Sequence, residues 1–234
     1  MHDTSSRRHR EWASRPTRGS SRRALSILDA RSLSPVLGGP TWWRTSVDRL
    51  FPNVADTTHS AMVFVDGENF AIRYESLLHQ RPIPEHVKLQ PGVFVWANGF
   101  NNACVMAGVR RKHYYTSVQG DAVKLDEIAD ALKALGIEAP RVFKRTKSRG
   151  SKRVDISLAT EMLSHAARKN CETAVLVAGD EDYLPLVEAV QAEGCRVLLW
   201  FVSDGLSPAL RRAADYYACL DTHLLGQDRG GSWR

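Results

Sequence analysis

The chain has 234 residues, and its formal net charge at pH 7 is +6. Because 43% of the residues are hydrophobic, the chain can bury a core, which excludes a wholly disordered protein. No stretch reaches the ~18 uninterrupted apolar residues of a membrane-spanning helix, so we expect no membrane association of that kind. Residues 1–60 hold ten arginines and five acids, whereas 22 basic and 21 acidic residues nearly balance in residues 61–234. The basic character therefore belongs to the N-terminal segment and says little about the fold.

The N-terminal segment, residues 1–59, differs in texture from the rest. It is rich in arginine and serine, and few of its apolar residues recur at helix or strand spacing. We predict a poorly ordered arm here. The same composition is also expected if the start codon was assigned too far upstream, or if the segment is a transit peptide. We expect one folded domain over residues 60–224 and a C-terminal tail over 225–234. The four cysteines lie far apart without a C-x-x-C pair, which argues against zinc and favours reduced thiols in a cytoplasmic protein.

Short apolar runs predict the strands of a parallel sheet. Continuous rather than alternating apolar residues are typical of strands buried on both faces. Three such runs occur, at residues 61–65, 173–178 and 197–202. Two weaker strands are predicted at 113–117 and 141–144.

Helices are predicted between these strands. Apolar residues at helical spacing indicate helices over 121–135, 154–169 and 181–193. Strands and helices alternate with short connections, so we expect right-handed crossovers and an α/β fold whose mostly parallel sheet is covered on both faces.

The sequence specifies one helix in more detail and one segment in less. In the helix over 154–169, the apolar stripe is predicted to consist of Ile156, Ala159, Leu163 and Ala166. Residues 79–111 are the least regular, with an extra strand expected at 92–97 and a short helix or loop at 100–108.

Acidic side chains follow the predicted strands at their carboxyl ends, where binding sites form in open parallel sheets. Asp66 ends the first strand, and Asp204 follows the last strong one. Asp180 and Asp182 come directly after the strand at 173–178. The predicted topology therefore gathers several carboxylates at one edge of the sheet.

Asp155 is assigned to the same edge by a helical argument. It opens the helix over 154–169 and lies four residues before Ala159 and seven before Met162. These spacings place its carboxylate on a face with apolar residues, which should pack on the sheet. We therefore expect Asp155 at the sheet edge rather than in open solvent.

A cluster of carboxylates favours a divalent cation. Neighbouring carboxylates repel one another and stay ionised only beside positive charge. Mg²⁺ and Mn²⁺ prefer oxygen ligands and can assist the attack of water on a phosphodiester. We predict a metal site formed by Asp66, Asp155, Asp180 and Asp182. Each acid also has a simpler interpretation, as a turn residue, as a helix N-cap, or as a first-turn acid that interacts favourably with the helix dipole.

Three further polar residues leave alternatives open. Asn69 either caps the helix that follows it or bridges to a metal-bound water or a phosphate. Glu161 lies roughly 9 Å beyond Asp155 along the helix, so we expect it at the surface or behind the site. Asp215 either closes the acidic cluster or caps a local turn.

A basic segment leads directly into Asp155. Six cations fall within ten residues and would make nucleic-acid binding strongly salt-dependent, although such runs are often only solvated loops. They are Lys144, Arg145, Lys147, Arg149, Lys152 and Arg153. Residues 110–112 extend the basic surface, and Tyr114 and Tyr115 either stack on bases or belong to the core.

Four segments together resemble a known family. They read VFVDGEN at 63–69, KRVD at 152–155, AGDEDYLPL at 178–186 and ADY at 214–216. In this order they resemble the NYN domain family of the PIN-like nuclease superfamily, and in particular its LabA-like bacterial branch, over residues 61–222. The family often has glycine where Arg153 stands and aspartate where Glu161 stands, and neither departure removes a predicted ligand.

The resemblance implies a three-layer α/β/α sandwich with a mostly parallel sheet, a Mg²⁺- or Mn²⁺-dependent acidic site, and RNA as the usual substrate. It also implies that Asp66, Asp155, Asp180 and Asp182 are metal-binding acids and that Asn69 is a polar site residue.

Our first hypothesis is a metal-dependent ribonuclease that acts on single-stranded or structured RNA. The second is a non-catalytic RNA-binding or regulatory module on the same fold. A small-molecule phosphohydrolase ranks last, because the chain lacks the aspartyl nucleophile pair of the best-known class with an Asp-x-Asp motif. The sequence gives no sign of an organic cofactor and leaves a homo-oligomer open.

Overall fold

The computed structural model describes residues 60–106, 108–145 and 152–226. The predicted N-terminal arm, most of the basic segment and the C-terminal tail beyond residue 226 lie outside these ranges. The described strands are β1 (Ala61–Asp66), β2 (Val87–Gln90), β3 (Phe94–Ala97), β4 (Val109–Val118), β5 (Ala139–Lys144), β6 (Thr173–Val177), β7 (Arg196–Phe201) and β8 (Tyr216–Cys219).

The helices surround these strands in chain order. Those within the described ranges are α1 (Gly67–Leu78), α2 (Asn98–Met106), α3 (Ala122–Ala134), α4 (Lys152–Ala167), α5 (Leu184–Ala192), α6 (Pro208–Ala213) and α7 (Asp221–Leu225). A 3₁₀ turn over Glu181–Tyr183 precedes α5. At α3, Asp121 is the N-cap, and its carboxylate accepts a hydrogen bond from the Lys124 backbone amide.

In the described part of the chain, six strands form a parallel sheet in the order β5–β4–β1–β6–β7–β8. β1 lies at its centre, and the backbone of Phe64 is in register with His113 on β4 and Leu176 on β6. The predicted α/β fold with a mostly parallel sheet is therefore confirmed.

The sheet is covered on both faces, as its continuous apolar strands require. Val63 and Val65 of β1 contribute to one core, together with α1, α3 and the β2–β3 hairpin. Met62 and Phe64 point to the other face and pack with α4 and α5. The three layers are thus helix, sheet and helix, with all of β1 buried between them.

The least regular segment forms a separate hairpin. The expected strand at 92–97 is present as β3, but it pairs antiparallel with β2, which was not predicted, and not with the main sheet. β8, at the edge of the main sheet, was also missed. Both missed strands have four residues, too few to establish a periodic pattern.

The predicted apolar stripe of α4 was wrong. Ile156 is 67% exposed and Leu163 is 37% exposed. The buried residues lie four apart instead: Val154, Leu158, Met162 and Ala166. Apolar side chains occur on two faces of this helix, and only packing against the sheet decides which face is buried.

Three cysteines, Cys104, Cys171 and Cys195, are buried with free thiols, and Cys219 is exposed. Tyr114 and Tyr115 are fully buried, which favours the core interpretation over stacking on bases. Among the residues described, no helix combines the length and apolar character needed to cross a bilayer.

Candidate active site

The two central strands form the topological switch point of the sheet. From β1 the chain proceeds to β4 and β5 on one side, and it then crosses to β6, β7 and β8 on the other. Ligands bind at the carboxyl ends of the strands flanking such a point, because the loops there diverge and leave a crevice. Asp66 ends β1 and Asp180 follows β6, so both residues lie at this crevice.

Asp66 is the most deeply buried acid of the crevice, at 3% exposure. Its Oδ1 accepts a hydrogen bond from the Asn69 backbone amide at 3.2 Å, which caps α1. Its Oδ2 accepts a hydrogen bond from the Tyr183 hydroxyl at 2.9 Å. Burial raises the pKa of Asp66 to about 7, and the charges of Asp155 and Asp180 add to the rise, although the two hydrogen bonds oppose it.

Asp155 reaches the same hydroxyl from the other side of the sheet edge. It lies in the first turn of α4, and Tyr183 Oη is 3.3 Å from its Oδ1. Partial burial raises the pKa of Asp155, and the negative charge of Asp180 contributes in the same direction. The helical argument that placed Asp155 near Asp66 therefore agrees with the geometry.

The side chain of Asn69, in α1, holds Asp180 by a hydrogen bond. Its Nδ2 donates to Asp180 Oδ2 at 2.7 Å, and its Oδ1 accepts a hydrogen bond from the Gly179 amide at 3.2 Å. Asp180 stands at the N-cap of the 3₁₀ turn but makes no side-chain capping bond. The capping interpretation thus does not account for Asp180, and Asn69 orients a carboxylate rather than capping its own helix. We call Asp66, Asp155 and Asp180 the acid edge.

Two glycines allow this close assembly. A Cβ on Gly67 would overlap the ring of Tyr114 beneath it. A Cβ on Gly179 would overlap the ring of Phe201 and crowd the Gly205 carbonyl. Any side chain at either position would therefore require the glycine backbone beside Asp66 or Asp180, or the ring that it meets, to shift.

The sequence interpretation missed two contributors to the site. Tyr183 was counted only as an apolar position, although its place in the AGDEDYLPL segment marks it as a neighbour of the acids. Glu68 accepts a hydrogen bond from Ser117 Oγ at 2.7 Å and pairs with Arg145 at 3.0 Å. No pattern in the sequence joins Glu68, in α1, to Ser117, which lies on β4.

The predicted basic residues differ in their exposure and in their partners. Arg145 is held inside the fold, because its guanidinium also donates to the Gly92 carbonyl at 2.7 Å. Lys144 and Arg153 are exposed, and the Arg153 guanidinium lies 5.6 Å from the Phe143 ring centroid. Lys147, Arg149 and the Lys152 side chain lie outside the described atoms. Lys112 is paired with Glu138 at 2.8 Å and is buried.

The remaining acids lie apart from the acid edge or at its rim. Asp182 is exposed, although its charge reaches Asp155. Glu161 accepts hydrogen bonds from Tyr115 and Arg141, as expected for a residue behind the site. Asp215 accepts a hydrogen bond from the Val197 amide at the start of β7, which favours the local structural role.

The acid edge offers oxygen donors of the kind that a hard divalent cation prefers. Burial is the largest cause of the raised pKa values of Asp66 and Asp155, and the neighbouring negative charges that add to both rises are a condition that a cation relieves. However, no group of three or more acidic, cysteine or histidine side chains in the described ranges converges closely enough to hold a metal ion.

Comparison with known proteins identifies the family. A model of the NYN domain matches residues 60–221. The chain belongs to the NYN domain family. This family is part of the PIN-like nuclease superfamily, so the acid edge of this NYN domain lies in a nuclease-like fold.

A solved structure supports the fold independently. It is a crystal structure of a protein of unknown function from Vibrio parahaemolyticus, with a TM-score of 0.55 and 19% identity. The match covers 72% of this chain and 97% of that chain. A search of curated proteins finds no significant match.

Proposed function

We propose that this NYN domain, residues 60–224, is a metal-dependent ribonuclease of the LabA-like type that hydrolyses RNA phosphodiester bonds at the acid edge. The observation that carries the proposal is that three separate elements of the fold each bring a carboxylate to the same edge of the sheet, where protein donors orient all three. The Tyr183 hydroxyl is within hydrogen-bond distance of both Asp66 and Asp155, and Asn69 of α1 donates a hydrogen bond to Asp180.

Asp66, Asp155 and Asp180 are the residues we expect to hold Mg²⁺ or Mn²⁺, with the exposed Asp182 at the rim. A bound ion would supply positive charge that stabilises the attack of water on the phosphodiester. The chain's own residues prepare the site for it. Tyr183 orients Asp66 and Asp155, and Asn69 orients Asp180, so little reorganisation is needed when substrate arrives.

The reaction breaks one phosphorus–oxygen ester bond. Water gives its oxygen to phosphorus, and its protons pass to the leaving oxygen and to a base. Asp155 is the group we assign to receive the proton from the water, because it lies in the first turn of α4 at the crevice, within reach of the Tyr183 hydroxyl that also bonds Asp66. The exposed cations Lys144 and Arg153 are expected, with Lys147, Arg149 and Lys152, to attract the RNA backbone.

The decisive experiment incubates the full-length protein with end-labelled single-stranded RNA in Mg²⁺, in Mn²⁺ and in chelator. We expect cleavage that requires the metal and is lost in Asp180→Asn, which keeps the shape of the side chain but removes its charge. Asp126→Asn is the matched control, because Asp126 is exposed on α3, away from the crevice. Cleavage by the Asp180→Asn variant at the wild-type rate would refute the proposal.

A second candidate is a non-catalytic RNA-binding module. The observation that favours it is that protein donors already engage the acids, while no three ligand groups of the described chain converge on one metal position. This candidate predicts no cleavage but equal, salt-sensitive RNA binding by wild type and Asp180→Asn. Turnover of a generic aryl phosphate in the same assay would instead indicate a phosphohydrolase.

A further inference from the structure

A second cavity opens beside the acid edge. Its volume is about 400 Å³, which is within the range of small-ligand sites. We call it the arginine pocket, and its lining residues are Ser203, Leu206, Pro208, Arg211, Arg212 and Tyr217. The pocket lies beyond the carboxyl end of β7, next to the edge strand β8.

The wall of the arginine pocket is bonded directly to the segment that carries Asp180. The Ser207 amide donates to the Gly179 carbonyl at 2.9 Å, and the Ser207 hydroxyl donates to Glu181 at 3.0 Å. The loop over residues 203–207 therefore both lines the arginine pocket and contacts the segment that carries Asp180.

The pocket combines cationic and apolar surfaces. Arg211 and Arg212 are exposed, and the Arg211 guanidinium lies 4.8 Å from the Tyr217 ring centroid. This distance is that of a cation–π contact, and because Arg211 is also exposed, its guanidinium presents surface on which a planar base can stack. Leu206 and Pro208 supply apolar surface for a ribose or a base.

Two carboxylates near the pocket are engaged by other donors, whereas Asp204 Oδ2, in the loop that forms the wall, is buried without a hydrogen-bond partner among the described residues. Asp221 accepts hydrogen bonds from the Ser203 amide at 2.8 Å and the Ser203 hydroxyl at 2.6 Å. Glu181 accepts the hydrogen bond from Ser207 described above. The residues that line the pocket include two cations and no acid, so its charge favours an anionic ligand.

We propose that the arginine pocket binds one nucleotide of the RNA strand, on the side of Asp180 away from Asp66. The two guanidinium groups bind its phosphate, and its base packs against the apolar lining or the open face of Arg211. This inference rests on the proposed function, since it makes the pocket a subsite for the strand cleaved at the acid edge.

The test measures binding separately from cleavage. A fluorescent single-stranded RNA decamer is titrated with full-length protein in chelator, over a series of salt concentrations. We expect Arg211→Gln/Arg212→Gln to weaken binding at least tenfold and to reduce the slope of log affinity against log salt by about 0.7, because one phosphate contact is lost. Arg168→Gln, an exposed arginine after α4, is the matched control and should bind within twofold of wild type.

Cleavage assays then separate this inference from the proposed function. Where wild type cleaves, the double variant should raise KM about tenfold and leave kcat within threefold. Wild-type affinity in the double variant overturns the pocket but not the nuclease, provided that Asp180→Asn is inactive. Loss of binding in a protein that never cleaves supports the pocket and overturns the nuclease. Arg212→Gln alone repeats the test if the double variant fails to fold.

A competition arm tests the chemistry of the ligand. Uridine monophosphate should displace the decamer at concentrations at which inorganic phosphate does not, because the base and ribose contribute contacts. Equal competition by the two compounds would overturn the assignment of a nucleotide subsite.

Discussion

The hydroxyl of Tyr183 donates a hydrogen bond to Asp66 Oδ2 at 2.9 Å, and it lies 3.3 Å from Asp155. A hydroxyl has one proton to donate, so it cannot serve two ionised carboxylates fully at once. The arrangement therefore favours an additional proton or a cation beside these acids. This agrees with the pKa of about 7 that burial gives to Asp66.

Replacement of Tyr183 by phenylalanine tests this bridge. The hydrogen bond lowers the pKa of Asp66 and of Asp155, so its loss should raise both values. We expect the acidic limb of the pH–rate profile to move to higher pH and the protein to lose about 1–3 kcal/mol of stability from unpaired buried acceptors. The control is Tyr115→Phe, which removes a hydroxyl that bonds Glu161 away from the acid edge. An unchanged profile in the Tyr183 variant would contradict this role.

The Asp66→Asn variant should be inactive yet more stable than wild type at pH 8 in chelator. The pKa of Asp66 lies above its ordinary 3.8, so the folded state binds the proton more tightly than the unfolded state. Stability from this group is present at low pH and is lost as pH rises from about 4 through 7. We expect a gain of roughly 1–3 kcal/mol at pH 8 and little difference at pH 4, measured by urea unfolding. An Asp66→Asn variant that is less stable than wild type at pH 8 would show that the ionised Asp66 carboxylate does not destabilise the folded protein.

A divalent cation should stabilise the wild-type protein through the same acids. Binding at 100 times the dissociation constant contributes about 2.7 kcal/mol, which corresponds to a rise in Tm of several degrees for a domain of this size. Thermal unfolding in increasing Mn²⁺ should show this rise in wild type and in Asp126→Asn, and a much smaller rise in Asp66→Asn and Asp180→Asn. Equal rises in all four proteins would place the cation elsewhere.

Gly67→Ala should destabilise the fold by about 1–3 kcal/mol, because the new methyl group overlaps the Tyr114 ring. That ring cannot move aside easily, since its hydroxyl is hydrogen-bonded to the Val95 backbone at 3.0 and 3.1 Å. The matched control is Gly99→Ala in α2, where a Cβ meets open space. It should be neutral or stabilising by up to about 1 kcal/mol in chemical unfolding. Equal effects at the two positions would show that the Tyr114 contact is not the cause.

His113 should give a pH dependence opposite in sign to that of Asp66. Burial lowers the pKa of His113 to about 4, so below its ordinary 6.5 the unfolded chain takes up a proton that the folded chain excludes. Stability from this group is therefore lost as pH falls from about 6.5 towards 4. In Asp66→Asn, unfolding free energy should rise with pH over this window, and adding His113→Phe should flatten the curve. A slope that survives the second substitution would assign it to other groups.

The sequence predicted which segments form the main strands and where the acids lie. The runs ending at Asp66 and before Asp180 could be interpreted because strands buried on both faces must be continuously apolar. The alternation of strands and helices then placed both acids at one edge, since parallel crossovers bring all carboxyl ends together. These inferences need only local composition and connectivity.

The tertiary structure alone decided how the side chains are used. Asn69 orients Asp180, Arg145 pairs with Glu68, and Tyr183 joins Asp66 to Asp155, although each partner is distant in sequence. The buried stripe of α4 and the separate β2–β3 hairpin were settled in the same way. A hydrogen bond requires its two atoms to lie about 3 Å apart, whereas a sequence pattern places the ends of a helix or strand only to within one or two residues. The sequence therefore determined the edge at which the acids meet, and packing determined which donors bind them.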